Sequence, residues 1–521
     1  MLDKKAAGIV CVVLAILNKT IIALAFSSLK GDKALYLLFA QSYLETGKLT
    51  VPVSTIENGS TFYLFDPAVY SPLYSLVATP VLWLTGSFFI TQFIISVFAW
   101  VMVYVALYQL TLALFRQRWL AHLFIFCSGF FLYPHELSST PKDTLALGLV
   151  LWSIVVMNKF FIHPSKTRTC LLALTLSGLV LVKLMYVPLM VALLFLFTLF
   201  LFLERKKALL LHLGLLIGLL VLTGFCVQQF LFEPAYHAAA NQTVHLPRNQ
   251  NIVNRGFYPE NLLHTYPFIS SSIINTELWG VQVEKATSLS FSDFIRWLFR
   301  LDVALFVVLF ITTLVHSRQI IANRSWFFVI GSAFVMIAVA LGLSASEELL
   351  VYKSSNNTWT YAADSRSFLV PIMAIQLALF AFVFRYRKLA LIRVALFCLF
   401  LFECLHGIYF TAKQSVHTDF TTESNVENDA LQQITTMIEK NEKRPALVTS
   451  DNFLRRYAQV KNLKAYAFSD LKADFSWMKK GDVYLLATHA GDSAYLQKFP
   501  LENLIMIDTI KPFVLHRFEV K

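Results

Sequence analysis

Long apolar runs separated by short basic connectors form the pattern of this chain. The runs cover 6–29, 87–115, 119–133, 143–159, 169–183, 185–203, 208–231, 297–316, 325–344, 367–384 and 389–410. Several reach the roughly 20 residues that a helix needs to cross a hydrocarbon core about 30 Å thick. The pattern predicts a polytopic bundle of about eleven transmembrane helices, all-α because only helices or closed barrels satisfy the backbone in lipid. The run from Ala6 to Leu29 is too long for a cleaved signal, and no small-residue cleavage site follows it, so it reads as a retained first helix. The segment 72-PLYSLVATPVLWL-84 is apolar but too short to span. It reads as an interfacial or re-entrant segment, or as an extension of the second helix. After residue 410 the pattern changes. A helical stretch, 426-VENDALQQITTMIEK-440, is followed by β-rich runs such as 446-ALVTS-450, 482-DVYLLAT-488 and 504-LIMIDTI-510, which predict a small α/β domain outside the membrane over 411–521.

Charge orients this pattern. Lys4-Lys5, Arg116 to Arg118, Lys159 to Arg168, Arg205 to Lys207, Arg318 to Arg324 and Arg385 to Lys388 share one side if the N-terminus is cytoplasmic. The net charge of +12 then belongs to cytoplasmic connectors and implies no nucleic-acid partner. The polar segments 30–86, 134–142, 233–296, 345–366 and 411–521 fall together on the outer face. Only 15% of residues are charged, against roughly 25% in a soluble chain. The six cysteines lie in or beside apolar runs without a CxxC pair, which argues against a zinc–thiolate site or a disulfide framework.

The predicted outer segments carry the chemistry. In 31-GDKALYLLFAQSYLETGKLT-50, Asp32 suits a helix N-cap, Tyr36, Phe39 and Tyr43 follow at helical spacing, and Gly47 suits the stop. This describes an amphipathic helix along the interface, its aromatic side toward lipid or protein. In 62-FYLFDPAVYSPLYSL-76, Asp66 precedes a proline-rich aromatic turn. In 133-YPHELSSTPKDTLALGL-149, His135, Glu136 and Asp143 crowd one connector, with Asp143 near the positive end of the next helix. Each aspartate has a local structural role open to it. Together they place carboxylates from three segments on one face, where a general base or metal ligands would meet a lipid-borne substrate.

Cationic candidates lie on the same face. Lys183 in 180-VLVKLMYVP-188 suits a snorkelling lysine as well as a phosphate ligand. Arg255 lies in 251-NIVNRGFYPENLLHTYP-267, suited to a lid or an ordered surface loop. Arg296 and Arg300 depart from the positive-inside trend, which either a phosphate partner or pairing with Asp293 and Asp302 explains. Glu403 and His406, one helical turn apart in the last run, read as a buried structural pair or a functional one. His237, His245 and His264 lack ligand-like spacing.

The order of these motifs resembles the GT-C superfamily of integral-membrane glycosyltransferases, which includes the protein O-mannosyltransferases of glycosyltransferase family 39 and the aminoarabinose transferases of lipid A. The resemblance covers 1–410 and is strongest over 1–150. It includes 359-WTYAADSRSFLVPIMAI-375, similar to the Arg-aromatic-Leu-x-Pro element that opens a late helix in these families. It implies a GT-C catalytic domain over 1–410 and a periplasmic or lumenal domain over 411–521. Asp32 would be the catalytic base, with Asp66 and Asp143 as the acidic residues of the next two motifs and Glu136 competing with Asp143. Tyr36 and His135 would support the site. Lys33 stands where many members carry glutamate, and Ser367 where a tyrosine often follows the arginine matched by Arg366.

The implied reaction is transfer of a sugar, with inversion, from a polyprenyl-phosphate donor to a lipid, glycan or protein acceptor on the outer face. Arg366, Lys183, Arg255, Arg296 and Arg300 would hold the donor phosphate. Some relatives use a divalent metal and others do not; Asp32, Asp66 and Asp143 are the candidate ligands. The location implied is a bacterial inner membrane, with the C-terminal domain periplasmic. Two other classes compete. A transporter or flippase would place ionisable groups and broken helices near the bilayer midplane. A non-catalytic assembly protein would use its tail to bind a partner.

Overall fold

The computed structural model describes residues 4–25, 32–54, 61–64, 72–115, 117–133, 141–182, 186–203, 210–233, 266–346, 368–385, 390–417, 423–441, 443–461, 463–467, 483–489 and 504–519. In chain order the helices are α1 (Lys4–Ala25), α2 (Asp32–Thr46), α3 (Pro72–Thr85), α4 (Phe88–Leu114), α5 (Arg118–Phe130), α6 (Pro141–Ile162), α7 (Lys166–Val182), α8 (Val187–Leu203), α9 (Leu210–Val227), α10 (Thr276–Ala286), α11 (Phe291–Val315), α12 (Ser317–Ala322), α13 (Arg324–Ser346), α14 (Leu369–Arg385), α15 (Ala390–His417), α16 (Glu423–Lys440) and α17 (Asn452–Val460). The strands are β1 (Val51–Ser54), β2 (Thr61–Leu64), β3 (Ala446–Thr449), β4 (Ala465–Ala467), β5 (Val483–His489), β6 (Leu504–Ile510) and β7 (Phe513–Glu519).

Each of the eleven apolar runs holds a helix. Among the described residues, stretches in α1, α4, α6, α9, α11, α13 and α15 are long and apolar enough to cross a membrane. The other four, α5, α7, α8 and α14, have 13 or 17 residues. Large apolar side chains such as Leu174, Phe195, Leu211, Val221 and Val315 point outward, a surface suited to lipid. The chain is a multi-pass helical membrane protein with a small C-terminal sheet. A basic connector also serves as a helix cap, since Arg168 donates to the Lys159 carbonyl at 2.6 Å near the end of α6.

The chain divides into two compact units. The first comprises Met1–Phe26, Ser96–Thr223 and Leu246–His417, and the second Ser27–Ile95, Gly224–His245 and Thr418–Lys521. In the first unit, small residues set the closest helix approaches. A Cβ on Gly129 of α5 would lie 2.4 Å from the Ala15 Cβ of α1, and one on Gly407 of α15 would lie 1.7 Å from the Phe130 carbonyl oxygen.

The second unit has its own hydrophobic core. It joins Leu35 to Ala40 of α2 with Tyr74, Ala78 and Leu82 of α3 and with Leu454, Tyr457 and Ala458 of α17. The Tyr36 and Tyr74 rings meet edge-on at 5.4 Å, and Ser75 donates to the Tyr36 carbonyl at 2.9 Å. The expected interfacial helix is therefore buried on all sides from Leu35 to Ala40, because α3 and α17 both pack on it. Gly47 stops α2 as expected. Its φ is +70°, and its N–H donates to the Tyr43 carbonyl at 2.9 Å, a left-handed C-cap that glycine adopts without strain.

The sheet order is β4-β3-β5-β7-β6, with β4, β3 and β5 parallel and β7 antiparallel to both β5 and β6. Strands β3, β5 and β6 match the β-rich runs, and α17 makes the crossover from β3 to β4. Lys461 forms an ion pair with Glu45 just beyond α2's buried stretch. Burial lowers the Lys461 pKa, but the Glu45 hydrogen bond and charge raise it, for a net direction above the usual lysine value. The stability this adds is complete below the ordinary lysine pKa and is lost as pH rises through the raised one.

The glycine contacts give a direct test. Gly407→Ala forces a methyl into the Phe130 carbonyl, and overpacking of this kind costs about 1–3 kcal/mol or more. Gly218→Ala meets nothing within 4 Å and is expected to be neutral or slightly stabilising in a helix. Thermal unfolding midpoints of the purified variants check this: equal midpoints would refute the close approach.

Candidate functional site

Helix α5 has 13 residues and ends inside the first unit, so its terminal carbonyls cannot turn to water. A helix leaves its last four carbonyls without internal partners, and a buried one left unpaired costs about 1–3 kcal/mol. The chain's own next turn and two neighbouring helices satisfy three of them. The Cys127 carbonyl accepts from the Phe131 N–H at 2.9 Å. The Ser128 carbonyl accepts from the Tyr104 hydroxyl of α4 at 2.9 Å, and the Gly129 carbonyl from the Asn18 amide of α1 at 2.9 Å. Gly407 lies directly against the Phe130 oxygen.

Beyond the helix, the Phe131 carbonyl accepts from Lys19 Nζ at 2.6 Å and the Leu132 carbonyl from Asn275 Nδ2 at 2.6 Å. Lys19 is fully buried, with its ammonium 4.9 Å from the Tyr133 ring centroid and 5.2 Å from that of Trp100. The Tyr133 hydroxyl donates to Gln376 of α14 at 2.7 Å. A cation is well placed there, because the carbonyl end of a helix carries partial negative charge.

Asn275 links this crown to a second buried network. It caps α10, accepting from the Leu278 N–H at 3.0 Å. Glu403 of α15 is 2% exposed and accepts from Trp279 Nε1 at 2.7 Å and the Asn275 N–H at 3.4 Å, with His406 Nδ1 at 3.8 Å. Glu403 is thus tied to α10 and its cap, the kind of contact that the structural reading of the pair expects. Asp302 of α11 accepts from the backbone N–H groups of Ile269 and Ser270 at 2.7 and 2.9 Å. Of the two readings open for Arg296 and Arg300, pairing with Asp302 is not seen: its partners are these backbone donors and the Ser270 hydroxyl, at 2.5 Å, more than thirty residues earlier. Asp293 does pair with Arg296, at 3.4 Å.

Among the expected site residues, Asp143 is 1% exposed in the first turn of α6, between Lys142 and Thr144, which are equally buried. Asp32 is the first residue of α2; its side chain lies outside the described residues, as do Asp66, His135, Glu136, Lys183, Arg255 and Arg366. Tyr36 is fully buried in the second unit's core. Arg296 is half-buried and Arg300 exposed on α11. Asp32 and Tyr36 belong to the second unit, Asp143, Arg296 and Arg300 to the first. No group of three or more His, Cys, Asp or Glu among the described residues is placed to hold a metal ion. Lys19, Asn18, Asn275 and Gln376 were not singled out from sequence. The one available signal was the polar pair Asn18-Lys19 inside an otherwise apolar run.

No protein family matches the sequence, and no curated protein does. Solved structures do match the fold. ArnT from Cupriavidus metallidurans in the apo state aligns with a TM-score of 0.53 and 11% identity, over 98% of this chain and 97% of that one. The chain has the GT-C fold. ArnT from the same organism bound to undecaprenyl phosphate aligns with a TM-score of 0.51 at 11% identity, over 98% and 97% of the two chains. The archaeal oligosaccharyltransferase AglB from Archaeoglobus fulgidus, in complex with an inhibitory peptide and a dolichol-phosphate, gives a TM-score of 0.46 and 11% identity over 89% of this chain and 65% of that one.

Within this GT-C bundle, Asn275 is the most exacting joint, serving as cap and donor at once. Asn275→Ala removes the cap and orphans the Leu132 carbonyl, a combined loss of about 2–4 kcal/mol. Asn275→Asp keeps the cap but loses the donor and sets a second carboxylate near Glu403, so it should not rescue. Unfolding midpoints in detergent measure both, and a wild-type midpoint for Asn275→Asp would break the assignment.

Proposed function

We propose that this chain is a glycosyltransferase that moves a sugar from a polyprenyl-phosphate-linked donor to an acceptor on the periplasmic or lumenal face, with inversion. The end-to-end likeness of its fold to ArnT, a protein solved with undecaprenyl phosphate, carries this reading. The order of acidic motifs supports it: Asp32 heads α2, Asp66 precedes α3, and Asp143 lies in the first turn of α6.

In this reading the acceptor hydroxyl attacks the anomeric carbon as the bond to the phosphate oxygen breaks. Asp32 takes the hydroxyl proton, and the polyprenyl phosphate leaves as an anion. Fixed cations at a low-dielectric interface stabilise that anion as its charge develops. Arg366, Lys183, Arg255 and Arg300 fill that role, with Arg296 a weaker ligand because Asp293 already engages it. The N-terminus is placed in the cytoplasm of a bacterial cell, and the acceptor is a lipid, a glycan or a protein. A transporter would need mobile charges within the bundle. Lys19, Asp302 and Glu403 are instead engaged by carbonyl, backbone or indole partners.

The test supplies purified wild type and Asp32→Asn with labelled polyprenyl-phosphate sugars. Wild type is expected to release polyprenyl phosphate. Asp32→Asn should be slower by about 100-fold or more, the usual contribution of a general base. Equal turnover by both would remove Asp32 from the chemistry, and no turnover with any donor would end the glycosyltransferase reading.

A further inference from the structure

Lys19 has no role in the reaction just proposed, yet it is the most costly residue of α1. A lysine within a membrane span is disfavoured by several kcal/mol on some scales and persists where it has a task. Neutral groups do the same capping nearby: Tyr104, Asn18 and Asn275 each satisfy one α5 or post-α5 carbonyl. Capping alone therefore does not call for a charge. The ammonium adds three-dimensional fixation. It binds the Phe131 carbonyl and sits against the faces of both Trp100 and Tyr133. Tyr133 is held at its other end by Gln376. The chain leaving α5 is thus gripped at three successive residues, Phe131 and Tyr133 through Lys19 and Leu132 through Asn275, and all five residues are buried. Ten residues after Tyr133 in sequence, Asp143 is buried in the first turn of α6.

We propose that Lys19 is a positioning residue for the transfer reaction, fixing the exit of α5 through the Phe131 carbonyl and the Tyr133 ring. This rests on the glycosyltransferase reading above. Lys19 touches no substrate in this scheme, so its removal should lower kcat through misplacement and leave donor binding nearly intact. A packing role makes the opposite forecast for substitution, because methionine matches the lysine stem and arginine does not. A charge role favours arginine, which keeps the cation and its donors and also stacks on aromatic faces.

The experiment uses the full chain in nanodiscs with a labelled polyprenyl-phosphate sugar, and measures kcat, donor KM and amide exchange at Phe131, Leu132 and Tyr133. Lys19→Met should lower kcat about 10- to 100-fold with KM changed by less than about threefold, and should speed exchange at those amides. Lys19→Arg should recover part of both. Wild-type kcat and exchange in Lys19→Met would overturn the proposal. So would lost kcat with unchanged exchange, or Lys19→Met matching Lys19→Arg. Should Lys19→Met fail to fold, Tyr133→Leu removes the ring beneath the ammonium: slowed turnover with faster exchange supports the proposal, and wild-type values overturn it. If wild type turns over no donor, the glycosyltransferase reading fails, and the exchange of the Lys19 variants alone decides whether Lys19 fixes the α5 exit.

Discussion

The first unit depends on one constraint: a helix that ends inside an apolar bundle must have its carbonyls satisfied by protein. Helix α5 and the residues just beyond it meet it with donors from α1, α4 and the residue that caps α10, while a glycine of α15 lies against the Phe130 oxygen. Those contacts tie the beginning of the chain to residues more than a hundred positions later. Because the donors come from three different elements, the end of α5 acts as a hub whose geometry none of them sets alone. The same logic governs Asp302 and Glu403. Each buried carboxylate is held by fixed N–H or hydroxyl donors, which favours a fixed shape.

The second unit solves a different problem. Helix α2 carries leucines, a phenylalanine and a tyrosine on successive positions, too many apolar faces for a surface helix. It becomes stable by being covered from two directions, by α3 and by α17. The residue that begins this helix is Asp32, so the proposed base stands at the head of an element whose body is held as firmly as any core helix.

The sequence conveyed architecture better than contacts. Apolar runs located helices, seven of them with stretches long and apolar enough to span a membrane, because length and hydropathy are additive along a chain. Gly47 was legible because a glycine stop depends on local backbone conformation. Asn18 and Lys19 escaped because two polar residues barely alter the hydropathy of a long run. The partners of Asp302 were not legible because they come from Ile269 and Ser270, more than thirty residues away, rather than from a near neighbour in sequence. The burial of α2 was missed because the helices that cover it are not visible in its own periodicity. For the candidate site, what could be read was the order of the motifs; which side chains are held and by what depends on tertiary neighbours.

The shared core of α2 and α17 has a consequence for biogenesis. During synthesis α2 emerges early, while α17 is among the last helices made. Until the C-terminal segment is translated and folded, the face of α2 that meets Leu454, Tyr457 and Ala458 has no covering. Completion of the element that carries Asp32 therefore waits for the end of the chain, and a nascent or truncated protein would insert its membrane helices before that element is assembled.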